Sequence, residues 1–182
     1  LILGLVCSSA VLTHASPIVA TIESVRQVIF PTTTGLVSLN CTNGEFLWKY
    51  DYPFGSVSTS MGASPLVYSN MVYCTASYGR GSAAARIAYA DGAWTATHMY
   101  YRSGLRNYRS IWMSPVCYQG HVYSLCGDNS TFLTTPLNCI DITTGALKWA
   151  TNNFGMGGLI LVNTNLVVLT EDGQLVLVQP DP

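Results

Sequence analysis

Residues 35–50 read "GLVSLNCTNGEFLWKY". Two short apolar runs, Leu36–Leu39 and Phe46–Trp48, flank a stretch centred on Asn43-Gly44. Asn and Gly adopt the positive φ of a tight turn at little cost, so this pattern predicts a β-hairpin. The same arrangement returns at residues 137–150 as "LNCIDITTGALKWA", and both tryptophans, Trp48 and Trp149, fall four residues beyond the turn glycine. Asp91-Gly92 and Asp172-Gly173 mark two further hairpins, with Trp94 two residues beyond the first. A large flat ring at a recurring place is best explained as a wedge between packed sheets, so Trp48, Trp94 and Trp149 are assigned a structural role.

Outward from these hairpins, a longer period emerges. Ser-Pro opens three similar segments, "SPIVATI" at Ser16-Pro17, "SPLVYSN" at Ser64-Pro65 and "SPVCYQG" at Ser114-Pro115, and "LILVNTN" at Leu159 follows as a fourth. Spacings of 48, 50 and 44 residues match the blade length of a β-propeller. Proline cannot donate to an interior ladder but is tolerated as the first residue of a strand. Each unit therefore reads as four short antiparallel strands, and the expected class is an all-β propeller. The predicted blades cover residues 14–53, 62–102, 112–152 and 157–180, the last with three strands.

Composition agrees with a many-stranded protein. Charged residues make up only 9% of the chain and hydrophobic ones 49%, so hydroxyl and amide side chains must cover the surface. The formal net charge is −1, which offers no field to a phosphate backbone; no nucleic acid partner is expected. No segment is long enough for a membrane span. Residues 1–12, "LILGLVCSSAVL", imitate the apolar part of a secretory signal but lack a basic flank, and are read as a strand of a preceding or ring-closing blade. Six cysteines show no CxxC and no zinc spacing with His14, His98 or His121; no metal is expected and the thiols read as small hydrophobes.

The strand, Asn-Gly or Thr-Gly turn and tryptophan pattern of residues 35–50 and 137–150 resembles the PQQ-like repeat. That repeat is found in quinoprotein alcohol dehydrogenases and in non-catalytic relatives such as the outer-membrane assembly lipoprotein. The likeness spans about residues 13–180, is closest to bacterial PQQ-binding-like propeller proteins, and implies an extracytoplasmic setting, periplasmic or secreted. Family propellers have seven or eight blades, so the resemblance implies a C-terminal half; a closed four-bladed ring, completed by residues 1–12, is the alternative.

In catalytic members the resemblance would call for PQQ on a tryptophan floor, calcium held by carboxylate and amide oxygens, a catalytic Asp and often vicinal cysteines. None of these can be placed here, and the acidic residues Asp91, Asp141, Asp172 and Glu45 lie in turns, where carboxylates usually bond their own backbone. "GRGSAAA", residues 79–85, matches a dinucleotide-binding string but is followed by no helix, and is read as an inter-strand loop. No G-x-S-x-G elbow occurs. The predicted role is a non-catalytic binding or scaffold module; the alternative is a portion of a PQQ-dependent dehydrogenase whose cofactor residues lie elsewhere.

Loops that join one blade's outer strand to the next blade's inner strand gather on one propeller face, where ligands commonly sit. The richest is "RSGLRNYRSIWM", with Arg106, Asn107, Tyr108, Arg109 and Trp112 combining charged donors, an amide and aromatic faces. His14, Asn153 and Phe154 stand in neighbouring connections. A protein or glycan partner is expected there.

Overall fold

The computed structural model describes residues 11–103, 106–127 and 134–182. Among the described residues, fifteen strands form four antiparallel sheets, each meandering in sequence order. The first sheet holds β1 (Ile18–Ile22), β2 (Val25–Pro31), β3 (Gly35–Asn40) and β4 (Phe46–Asp51). The second holds β5 (Leu66–Tyr68), β6 (Met71–Ala76), β7 (Gly81–Ala90) and β8 (Ala93–Ser103), and the third β9 (Val116–Tyr118), β10 (His121–Leu125), β11 (Leu137–Asp141) and β12 (Leu147–Thr151). The fourth has three strands, β13 (Gly158–Val162), β14 (Asn165–Leu169) and β15 (Leu175–Val178). A 3-10 turn, Arg106–Tyr108, lies in the connection between the second and third sheets. The molecule is a four-bladed β-propeller. Most of "GRGSAAA" is strand rather than loop, since Gly81–Ala85 open β7.

The openings of the first three blades share one cavity. A cavity of about 580 Å³ is lined by Ile18–Thr21 of β1, by residues 64–67 around β5, and by Ser114 and Pro115 before β9. Ser64 N–H donates to Ser114 Oγ at 3.0 Å, so two of the repeated Ser-Pro openings meet directly. Turn chemistry explains the strand ends. Asp91 and Gly92 both take positive φ, 52° and 79°, the mirror-image turn whose twist suits a two-residue hairpin. The longer turns after β3 and β11 put only the glycine at positive φ, 72° at Gly44 and 69° at Gly145. There Asn40 Oδ1 and Asp141 Oδ1 accept the amides of Thr42 and Thr143 two residues on, and each ladder carries a register shift, at Ser38/Leu39 and at Cys139/Ile140.

Each blade has a forward face toward the next blade and a backward face toward the preceding one. Alternation sorts the residues: Tyr73, Ala84 and Tyr100 of the second blade pack forward onto Val122, Ile140 and Ile142 of the third. Val72, Cys74, Ala85 and Ile87 point the other way, into a larger cluster with Ile29, Leu36 and Trp48 of the first blade. Full burial of such side chains contributes about 1.5–3 kcal/mol each.

Trp48 is a forward wedge, 2% exposed, and Trp149 takes the equivalent place in the third blade, its ring 6.0 Å from that of Tyr123. Trp94 departs from the expected pattern. It pairs with Tyr89 on the strand face shared by Ala96 and His98, so it points back toward the first blade and is only half-buried. The junction between the second and third blades holds tyrosines in place of tryptophan.

Candidate functional site

Connections between blades and the β2–β3-type turns occupy the same end of the propeller, and backbone hydrogen bonds tie them together. Val57 N–H donates to Thr33 O, Thr33 N–H to Val11 O, and His14 N–H to Thr59 O. Gly62 and Ala63 N–H both donate to Ile111 O at 2.7 and 3.1 Å. Thr75 Oγ1 donates to Tyr108 O at 3.0 Å and accepts from Ser110 N–H. Leu12 forms an antiparallel bridge with Thr32, and Ser110 a parallel one with Gly127. The first three connections thus form a continuous rim.

On that rim the expected site residues divide. Trp112 is 51% exposed, and its ring lies against Gly62, where an added Cβ would meet it at 3.1 Å. Tyr108 turns inward: it is 8% exposed and joins the tyrosine cluster between the second and third blades. Asn107 contributes its carbonyl, which accepts from Asn138 Nδ2 at 2.9 Å. Nε and Nη2 of Arg106 are buried without a hydrogen-bond partner among the described residues, as is Asn138 Oδ1. Buried donors of this kind carry a desolvation cost until a partner meets them. Arg109 is half-buried on the same turn.

The remaining candidates lie apart. Asn153 is exposed at φ 74°, and Phe154 N–H donates to Thr135 O while Phe154 O accepts from Glu171 N–H. They line a separate cavity of about 360 Å³ with Thr134, Gly155 and Asp172. His14 is held by its backbone to Thr59. Arg102, in the basic trio with Arg106 and Arg109, is not on offer: Nε donates to Gly145 O at 3.0 Å and Nη2 to Thr144 O at 2.6 Å, and its guanidinium lies 5.6 Å from the Tyr100 ring centre.

Sequence reasoning missed a second group on the rim. Tyr78, 53% exposed, and Arg80 form a cavity of about 190 Å³ with Val57, Ser58, Met61 and Ser77. Arg80 is fixed by Nη1 donating to Phe54 O at 3.0 Å and by its carbonyl accepting from Tyr101 Oη at 2.7 Å. The available signal was the unpaired "SYGR" after a wholly buried strand.

No family model and no curated protein matches the chain. Among solved structures it is similar to the computationally designed Ika4 protein, with TM-score 0.60, 15% identity, and 94% of this chain against 97% of that one. The propeller is therefore a known fold. BamB from Moraxella catarrhalis superposes with TM-score 0.55 and 16% identity over 88% of this chain and 45% of BamB. A quinohemoprotein alcohol dehydrogenase from Comamonas testosteroni gives 0.54 and 14% over 86% of this chain and 34% of the enzyme. The chain spans less than half the length of these two natural proteins, and at such identities the likeness is one of fold.

Five cysteines are described and none is bonded to another; Cys74, Cys126 and Cys139 are buried, Cys117 half-buried and Cys41 exposed. Burial pushes the Cys74 thiol up to about 12, against a smaller opposing effect of its contact with the Ala83 carbonyl. Cys126 rises to about 11 for the same first reason, with Ser124 and Asn138 opposing. These are packing thiols rather than nucleophiles. No helix among the described residues is long and apolar enough to cross a membrane.

Proposed function

We propose that this chain is a non-catalytic binding module of the PQQ-like repeat type, working outside the cytoplasm through the rim at Arg106 and Trp112. The carrying observation is the pairing on one turn-bearing connection of a half-exposed indole with a guanidinium whose Nε and Nη2 are buried and without a hydrogen-bond partner among the described residues. Trp and Arg are the side chains most enriched where binding energy concentrates. An indole face suits a sugar ring or an apolar side chain, and a guanidinium suits a carboxylate.

A quinone cofactor fits the residues poorly. Among the described residues no three His, Cys, Asp or Glu side chains converge as metal ligands. Asp141 and Asp172 are committed to their own turns, and Trp48 is packed inside a blade junction. No catalytic step is assigned to PQQ or calcium here.

The test couples two measurements. The chain is screened on an array of neutral and uronate-bearing oligosaccharides, and in parallel cross-linked in its source cells from a photoreactive group at position 112. Trp112→Ala and Arg106→Ala are expected to weaken the captured interaction at least about tenfold, the size of one lost interfacial anchor. Unchanged binding in both variants overturns the reading. So does saturable uptake of PQQ with calcium, seen as a shift of the quinone absorbance.

A further inference from the structure

The turn Ser77–Arg80 joins β6 to β7 and carries a second polar site on the rim. Arg80 N–H donates to Ser77 O at 3.2 Å, and the two central residues, Tyr78 and Gly79, take φ of 53° and 78°. This is the mirror-image turn whose first central place favours Asn, Asp or Gly, so a bulky residue there is held against its backbone preference. Tyr78 returns little packing for that strain, being 53% exposed. Strained backbone of this kind clusters where proteins hold ligands. The turn lines the cavity of about 190 Å³ together with Val57, Ser58 and Met61 of the connection between the first two blades.

The walls of this cavity are fixed. Arg80 Nη1 donates to Phe54 O at 3.0 Å and Tyr101 Oη to Arg80 O at 2.7 Å, while Met61 N–H donates to Ser58 O and Val57 N–H to Thr33 O. Among the described residues two of its polar groups lack a counterpart. Ser77 Oγ is buried without a hydrogen bond, a desolvation cost that a ligand hydroxyl removes. Arg80 is exposed and has no carboxylate within ion-pair distance.

We infer that the cavity binds one carboxylate-bearing pyranose, a uronate unit of a glycan. Its volume lies below the range of about 300–1,000 Å³ that encloses a drug-sized ligand, which limits the occupant to one small unit. The guanidinium offers its remaining N–H groups to a carboxylate. The Ser58, Ser77 and Tyr78 hydroxyls suit sugar hydroxyls, and the Tyr78 ring presents a flat face to the C–H side of a pyranose. An acidic peptide side chain would use only the first of these groups. Met61 leads into Gly62, on which the Trp112 ring lies, so the two sites share one rim; the uronate site needs neither Arg106 nor Trp112.

The test titrates the isotope-labelled full chain with the methyl glycosides of glucuronate and galacturonate, with those of glucose and galactose, and with propionate and N-acetylglutamate, following backbone amides by NMR. At least one uronate is expected to shift the amides of residues 77–80 saturably. Its neutral counterpart and the acyclic acids should bind at least about tenfold more weakly, the size of one lost charge-assisted or stacking contact. Ser77→Ala and Arg80→Gln should each weaken the uronate by about tenfold. Tyr78→Asn suits the turn better than tyrosine, so its melting temperature should hold or rise while uronate binding falls. Trp112→Ala should leave the response intact, whatever becomes of the partner at the indole. Shifts that do not saturate or that arise elsewhere overturn the inference, as does loss of the response in Trp112→Ala. So does full binding in both Ser77→Ala and Tyr78→Asn, or equal binding of the neutral sugar; equal binding of the acyclic acids would make an acidic side chain the occupant instead.

Discussion

Tyr50 Oη on the outer strand of the first blade lies 2.8 Å from His98 Nδ1 on the outer strand of the second, and the two rings stack with centroids 6.2 Å apart. The contact closes the outer edge of a junction whose inner part is aliphatic. Tyr50→Phe keeps the ring and deletes the bond, so it is expected to cost about 1 kcal/mol. Urea denaturation of Tyr50→Phe, His98→Ala and the double variant checks this. The double variant should lose less than the two singles together, because both remove one shared contact. Strict additivity would show that the rings do not cooperate.

Arg102 ties the second blade to the turn of the third through two carbonyls and the Tyr100 face. Arg102→Ala should destabilise by about 2–3 kcal/mol, from the loss of a part-buried charge-assisted bond, an exposed one and a partly exposed cation–π contact. Lysine should not restore the loss, because one ammonium cannot serve both carbonyls in the fixed geometry of the guanidinium fork. Thermal melts of the Ala and Lys variants decide it. Full rescue by lysine would show that charge alone matters.

The buried thiols give an alkaline limit. Unfolded, Cys74 titrates near 9.0; folded, burial holds it to about 12. Above pH 9 the unfolded chain therefore releases a proton that the native chain keeps, which favours unfolding. This part of the stability is present below pH 9 and falls as pH rises toward 12. Cys126 adds a second such window, from 9.0 to about 11. Urea midpoints across this range should decline less steeply in Cys74→Ala than in wild type. In a Cys7→Ser background, a thiol reagent near neutral pH should modify Cys41 rapidly and the other four only after denaturant is added.

Asp141 sets an acid limit of the opposite sign. Burial works against its charge, but the Thr143 hydroxyl at 2.6 Å and the amides of Thr144 and Thr143 outweigh it and hold the carboxyl at about 2. An unfolded carboxylate near 3.8 takes up its proton first. The contribution is complete above pH 4 and lost as pH falls toward 2. The group is largely exposed, so solvent screening keeps the effect small. Asp141→Asn should flatten the stability slope between pH 4 and 2, measured by thermal melts; an unchanged slope would place the sensitivity at another carboxylate.

What the sequence made legible was what local chemistry controls. Asn-Gly, Asp-Gly and Thr-Gly turns marked the hairpins, and the Ser-Pro spacing located the openings of the first three blades, which line one cavity. Facing was harder to read. Strand side chains alternate with period two, so a shift of one residue sends a side chain to the other face. The first and third blades carry their irregularity between the turn and the tryptophan, at Ser38/Leu39 and Cys139/Ile140, whereas the second carries it beyond Trp94, at Ala84/Ala85, and no count from the turn glycine could reveal which. Tyr108 looked available because loop residues usually are; its burial depends on Tyr73, Val122 and Ile140 of the two flanking blades, distant in sequence. Arg106 and Trp112 were legible as a residue mix, while the Arg106 nitrogens without a hydrogen-bond partner among the described residues required tertiary structure.

The two tryptophans of the first junction offer the sharpest contrast. Trp48 Nε1 donates to Gln27 Oε1 at 2.6 Å, and the same oxygen accepts from Ser38 Oγ at 2.7 Å, all three residues being buried. Trp48→Phe removes one of those donors and leaves a void beside Ile29 and Leu36, so a loss of about 3 kcal/mol is expected. Trp94, half-buried against Tyr89 with ring centroids 5.1 Å apart, has room to relax, and Trp94→Phe should cost under about 1 kcal/mol. Denaturant midpoints of the two variants test the assignment directly. Equal losses would mean that Trp94 wedges the junction as Trp48 does, and that ladder parity is the wrong guide to which ring holds the blades together.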